Sequence, residues 1–269
     1  MAIGLAPRDA LAGAVSAVTT GMVDPMAHSV PPQGGVLHAF ILWVGLVLGT
    51  MGLIAVDGAG RGRLLSVPFD AEVLAWIGSL LLVTVLAVFA GLPLLESLGW
   101  ATSSIATSGI ALSDPQQFSR LPIVLELFPV LIGGSALSAA GGFKLARLIV
   151  LSKRAALEFA QLGYRGSVKH FSFRGRRQSD RTIMGVWVYL VGYIVACTIG
   201  TLLLSASGLS FDDAVRAGIG SLSNAGHILA GMSADLEGMA QVYVILGMIL
   251  GRLEVITLLP ALNPSFWQN

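Results

Sequence analysis

RTIMGVWVYLVGYIVACTIGTLLLS, residues 181–205, runs into SFDDAVRAGIGSLSNAG, residues 210–226, with four residues between them. The first stretch is apolar after its leading arginine. At about 1.5 Å per residue it is long enough to cross a hydrocarbon core of about 30 Å as a helix. The second stretch is only moderately apolar and makes about half a bilayer of helix. It starts with acids, where a helix N-terminus favours negative charge, and it ends in small polar residues and a glycine. A full span followed by a half-length helix predicts an all-α, polytopic membrane protein.

The rest of the chain follows the same plan. Apolar segments at 35–56, 70–92, 121–151, 181–205 and 239–262 give five expected spans, the third long and interrupted by glycines. Charged residues make up 12% of the 269-residue chain, about half the share usual in soluble domains. One cysteine, Cys197, excludes a disulfide framework and a paired-thiol metal site. The histidines His28, His38, His170 and His227 are scattered and have no ligand spacing. An enzyme is not expected: there is no GxSxG, and Thr84 and Thr198 have no base beside them, so their hydroxyls should bond to their own helices. MAIGLAPRDA lacks the pattern of a signal peptide and reads as though the chain starts inside a longer one.

Basic residues set the expected orientation. Arg61 and Arg63 lie in one loop. Lys144, Arg147, Lys153, Arg154, Arg165, Lys169, Arg174, Arg176, Arg177 and Arg181 lie in or beside another. The remaining connections carry mainly acids, among them Asp24, Asp114, Asp235 and Glu237. The positive-inside rule puts the basic loops and the C-terminus in the cytoplasm. The basic residues lack aromatic platforms, so nucleic acid is not expected as a partner. A protein contact on loop 152–180 is compatible with the pattern.

Three short segments repeat between the spans: PRDALAGAVSAVTTG (7–21), LLESLGWATSSIATSG (94–109) and SFDDAVRAGIGSLSNAG (210–226). Aligned on Gly21, Gly109 and Gly226, they share a serine five residues earlier (Ser16, Ser104, Ser221). A small polar residue stands two earlier (Thr19, Thr107, Asn224), and an acid lies near each start (Asp9, Glu96, Asp213). A half-helix inside the membrane aims its negative end, with free carbonyls, at the loop that follows, which suits a dehydrated cation. Non-helical backbone at that depth must be buried in protein or line a cavity. The same holds for Gly133, Gly134, Gly141 and Gly142, which break the third span. Arg252 and Glu254 stand in an apolar run, where charges are functional candidates by default. Arg252 could pair with Glu254 or Glu126.

These residues resemble the Trk/Ktr/HKT superfamily of cation transporters, and most closely the bacterial Trk-type potassium uptake subunit. GRLEVITLLPALNPSFWQN (251–269) is similar to that family's closing signature, and SLSNAG (221–226) to its fourth filter segment. IATSG (105–109) and VTTG (18–21) resemble the third and second, and IGGSALSAAGGFKLARLIVL (132–151) its glycine-rich break. The likeness covers essentially the whole chain.

The resemblance implies a pore of fourfold pseudo-symmetry with K+ as the transported ion and no other cofactor. Thr19, Thr20, Gly21, Thr107, Ser108, Gly109, Asn224, Ala225 and Gly226 would form the filter. Gly133, Gly134, Gly141, Gly142, Lys144 and Arg252 would form the gate. It also implies a plasma-membrane location among lipid, a homodimer and a cytoplasmic nucleotide-binding regulatory subunit. Residues 1–69 would be the remainder of repeat two, 70–151 repeat three, 152–180 a cytoplasmic loop and 181–269 repeat four. The first repeat would be missing, as in a truncated subunit.

Departures fall at His227 for the usual proline, Ser223 for an asparagine, Ala106 and Ser108 for threonines, and Met22 for a second glycine. They bear on ion preference more than on fold. A non-conducting membrane scaffold is the alternative they favour.

Overall fold

The computed structural model describes residues 7–20, 40–48, 71–108, 110, 121–136, 138–163, 172–173, 176–177, 180–230, 232, 236 and 238–253. Its helices, in chain order, are α1 (Pro7–Thr19), α2 (Ala71–Phe89), α3 (Leu94–Ile105), α4 (Ile123–Ile132), α5 (Leu145–Gly163), α6 (Asp180–Ala206), α7 (Phe211–Ser223), α8 (Gly226–Ala230) and α9 (Met239–Arg252). Residues 40–48 are helical as well. The only strands among the described residues are a two-residue antiparallel pair, Ser172–Phe173 with Arg176–Arg177, in the basic loop. The architecture is all-helical in substance.

The expected spans 70–92 and 181–205 are α2 and α6, both long and apolar enough to cross a membrane. Of the apolar stretch of α6, 11% is buried inside the protein. Met184, Val191, Ile194, Ile199 and Leu202 stand exposed along it. That arrangement is unfavourable in water and suited to lipid. The expected span 239–262 is helical over Met239–Arg252 and lies outside the described residues beyond 253. Of the span at 35–56, only 40–48 are described.

The short helices α3 and α7 are each held between two neighbouring helices. α3 packs between α2 and α4, where Trp76, Leu80, Val83 and Ala87 of α2 meet Trp100, Ala101 and Ile105 of α3. α7 packs between α6 and α9, where Leu204, Ala214, Ala217, Ala240 and Val244 form the core. α4 also packs against α7. Leu127 and Val130 pack on Ala225 and Ile228, and Glu126 pairs with Arg216 at 3.0 Å.

The acids near the starts of α3 and α7 lie in their first turns, as expected of charges at a dipole's positive end. In α7 the N-cap Ser210 Oγ accepts the Asp213 N–H at 3.3 Å and donates to Asp213 Oδ2 at 2.6 Å, a reciprocal cap.

The third span breaks where the glycines fall. α4 ends at Gly133, whose φ of 69° is left-handed, and α5 begins at Leu145. Between them Phe143 N donates to Leu131 O and Lys144 N to Ile132 O, each at 2.8 Å. These partners are twelve positions apart instead of the helical four, so eight extra residues are looped out between them. The neck is tight: a Cβ on Gly133 would collide with the Gly141 carbonyl.

Candidate functional site

The three half-length helices end alike. Thr20 (φ 49°), Thr107 (φ 49°) and Asn224 (φ 55°) each take the left-handed conformation just past a helix end, a geometry that non-glycine residues rarely adopt. After α3, Ser108 N donates to Ser103 O and Thr107 N to Ser104 O, both at 3.1 Å. After α7, Ala225 N donates to Gly220 O at 2.8 Å and Asn224 N to Ser221 O at 3.1 Å. These are two copies of one closing motif, a left-handed helix cap with its paired bonds.

The backbone thus sets a register for the first copy that differs by one residue from the glycine alignment. Thr20, not Thr19, is the counterpart of Thr107 and Asn224, and Gly21 falls level with Ser108 and Ala225. Thr19 instead donates its hydroxyl to Val15 O of its own helix at 2.8 Å. The glycine alignment followed residue type, whereas the turn follows where each helix stops. Gly21 and Gly109 lie outside the described residues, and Gly226 is buried at the start of α8.

The ends of α3 and α7 meet the loop 133–144, and Arg252 links the end of α1 to it. Thr107 Oγ1 accepts the Gly141 N–H at 2.7 Å. Gly141 also lies against the Ser223 carbonyl so closely that a Cβ there would overlap it. Arg252 joins the third end: its Nη1 donates to Ala139 O at 2.7 Å and its Nη2 to Thr20 O at 3.4 Å. Within the loop, Lys144 Nζ reaches the Ala136 and Ser138 carbonyls at 3.3 and 3.5 Å. Gly134 O accepts from Leu145 N at 3.0 Å, and Gly142 has a φ of 80°. Hydrogen bonds thus connect Thr107, Gly141, Lys144, Arg252 and Thr20 to the loop or to one another through it, while the end of α7 meets the loop by close packing at Gly141.

A second layer of contacts holds these ends from behind. Ser103 Oγ donates to Ile110 O at 2.6 Å and lies 2.9 Å from Ser108 Oγ. Trp43 Nε1 donates to Thr102 Oγ1 at 2.9 Å. Asn224 Nδ2 donates to Met248 O of α9 at 3.3 Å, and Gly251 of α9 lies directly against the Leu222 carbonyl. Tyr193 Oη and Ser223 Oγ are 2.7 Å apart in a buried contact.

Two expectations need correction or extension. Glu126 does not pair with Arg252. It is held by Arg216, because both lie on the α4–α7 seam, while Arg252 is taken up by backbone carbonyls. Glu254 lies outside the described residues. Glu72 was not singled out from the sequence, yet it is fully buried in the first turn of α2 and accepts the Ala136 N–H of the loop. Its signal was present: an acid inside the start of an apolar span. Tyr193 left no such signal, since an aromatic residue in an apolar run is unremarkable. Thr84 and Thr198 do bond to their own helices, at Leu80 O (2.7 Å) and Ile194 O (2.9 Å).

Comparison with known proteins agrees with the helical fold. Residues 70–266 match the TrkH family model, described as cation transport protein. The chain is 32% identical over 171 residues to the Trk system potassium uptake protein TrkH of Vibrio parahaemolyticus, covering 62% of this chain and 34% of that protein. It is 26% identical to the Trk system potassium uptake protein TrkI of Halomonas elongata, over 99% of this chain and 57% of that one. Among solved structures, the crystal structure of the potassium transporter TrkH from Vibrio parahaemolyticus superposes with a TM-score of 0.82 and 25% identity. It covers 98% of this chain and 60% of that one. The chain therefore spans between about a third and three-fifths of these relatives' lengths. A match over most of the chain, with the same helical architecture, has one meaning: the chain belongs to the TrkH family of cation transport proteins.

Proposed function

We propose that this chain forms part of a plasma-membrane pathway for uptake of monovalent cations, chiefly potassium. The ends of α1, α3 and α7 face the ion, and loop 133–144 obstructs it. The observation that carries this reading is the convergence of three helix ends with non-glycine left-handed residues: Thr107 and the Ser223 carbonyl beside Asn224 lie against Gly141 of one loop, and Arg252 bridges Thr20 and Ala139 of that loop. Helix C-termini carry partial negative charge and free carbonyls, and these can replace the hydration shell of a cation without covalent chemistry. The relatives' names supply the ion: they are potassium uptake proteins.

In this reading Thr19–Gly21, Thr107–Gly109 and Asn224–Gly226 are three filter segments of a fourfold pore. Gly133, Gly134, Gly141, Gly142, Lys144 and Arg252 form the gate. The basic loop and the C-terminus face the cytoplasm. There they offer a docking surface to a nucleotide-binding regulatory subunit, and the chain pairs with a second copy of itself.

The test is rubidium uptake into proteoliposomes containing the purified protein, driven by an outward potassium gradient. Uptake that exceeds empty liposomes and is abolished by Gly226→Val supports the reading. Uptake that survives this substitution removes the filter assignment. No uptake above background returns the chain to a scaffold role.

A further inference from the structure

Tyr193 lies in α6, opposite the last residue of α7. Its hydroxyl is 2.7 Å from Ser223 Oγ, and the two side chains are 5% and 0% exposed. Ser223 immediately precedes the left-handed Asn224, so its side chain is fixed one residue before the turn that opens the fourth-repeat segment. A buried hydroxyl pair is directional, and leaving either partner alone costs its desolvation.

The tyrosine ring is itself fixed. It stacks on Tyr189 with centroids 6.2 Å apart and planes at 14°, and it meets Phe143 at 6.4 Å. Phe143 also packs on Tyr189 at 5.6 Å, and the Arg147 guanidinium sits 3.9 Å over the Tyr189 ring. Phe143 is the residue whose N–H closes the neck of the loop on Leu131. One contiguous aromatic wall therefore connects the loop's neck to the backbone next to Asn224.

Resting on the transport reading above, we propose that Tyr193 is a positioning residue for ion selectivity. Through Ser223 it fixes the backbone of the segment 224–226 and thereby the preference for potassium over sodium. A cation site built from carbonyls discriminates by their number and field strength. A strut that holds the backbone from behind changes that discrimination without touching the ion.

The experiment measures melting of the purified protein in potassium, sodium and choline chloride at equal ionic strength. Wild type should melt higher in potassium than in sodium, with choline as the baseline. Tyr193→Phe and Ser223→Ala should each lower melting by a similar amount in all three salts, as a buried hydroxyl left without its partner requires, and in addition lose most of the potassium-over-sodium difference. The double variant should lose no more than either single one, and Ser223→Thr, which retains the hydroxyl, should keep the difference.

A Tyr193→Phe protein that keeps the wild-type difference overturns the proposal and leaves the transport reading intact. So does one that melts lower in choline while keeping that difference, because the hydroxyl pair would then serve stability alone. A wild-type protein that does not distinguish potassium from sodium, and takes up no rubidium, overturns both.

Discussion

Thr107 Oγ1 accepts a hydrogen bond from Gly141 N at 2.7 Å, so the end of α3 and the loop between α4 and α5 are directly bonded. Thr107→Val has nearly the same shape and removes the acceptor, leaving a part-buried N–H without it. That loss costs roughly 1–3 kcal/mol. The melting temperature should fall by several degrees, and Thr107→Ser should restore it. Circular dichroism of the detergent-solubilised variants checks both.

Gly251 lies on the Leu222 carbonyl, with Asn224 Nδ2 2.7 Å from where a Cβ would stand. Gly251→Ala should therefore lower thermal stability markedly, because backbone and not a flexible side chain is in the way. Gly78, in α2, has nothing within 4 Å of the same position. Gly78→Ala should be neutral, or stabilising by up to ~1 kcal/mol. Equal effects in the same melting assay would contradict the packing of α9 on α7.

Glu72 anchors the loop through Ala136 N. Glu72→Ala should free the loop, whereas Glu72→Gln retains a carbonyl acceptor. The readout is a cysteine introduced by Ser138→Cys, at a buried loop position, with the native cysteine replaced by Cys197→Ala. Labelling by a membrane-impermeant thiol reagent should speed up about tenfold with Glu72→Ala, the equivalent of ~1.4 kcal/mol, and change little with Glu72→Gln.

The Glu126–Arg216 pair joins α4 to α7 at 3.0 Å, with side chains 19% and 26% exposed. A double-mutant cycle with Glu126→Gln and Arg216→Gln should give a coupling of about 1 kcal/mol, at the upper end for partly exposed pairs. Asp213, 3.6 Å from Arg216, keeps part of the attraction in the Glu126→Gln variant. Chemical denaturation of the four proteins measures it. Zero coupling would mean that the seam rests on Leu127, Val130, Ala225 and Ile228 alone.

Span boundaries and the broken third span were legible because bilayer thickness fixes helix length and because clustered glycines punctuate it. α2 begins one residue after the expected start and α6 begins and ends within one residue of 181–205, whereas α2 stops at Phe89, short of 92, and α5 runs on to Gly163, past the expected end at 151 and into the expected loop 152–180. The repeated helix ends were legible as a pattern, yet the first copy's register was not. The sequence marks Thr19 and Thr20 alike, and only the point at which α1 stops separates them. Long-range partners were least legible. Nothing in the local sequence says that Glu126 meets a residue 90 positions away, or that Tyr193 reaches across to Ser223. Such pairings follow from the side-by-side packing of helices, and one chain read linearly carries no record of them.

The neck between α4 and α5 also bears on how such a loop can arise. Since Phe143 and Lys144 bond as though Leu131 and Ile132 were one helical turn behind them, excising eight residues would put both pairs at ordinary helical spacing. The excursion and an uninterrupted turn are thus separated by a short deletion that spares both partners of each bond.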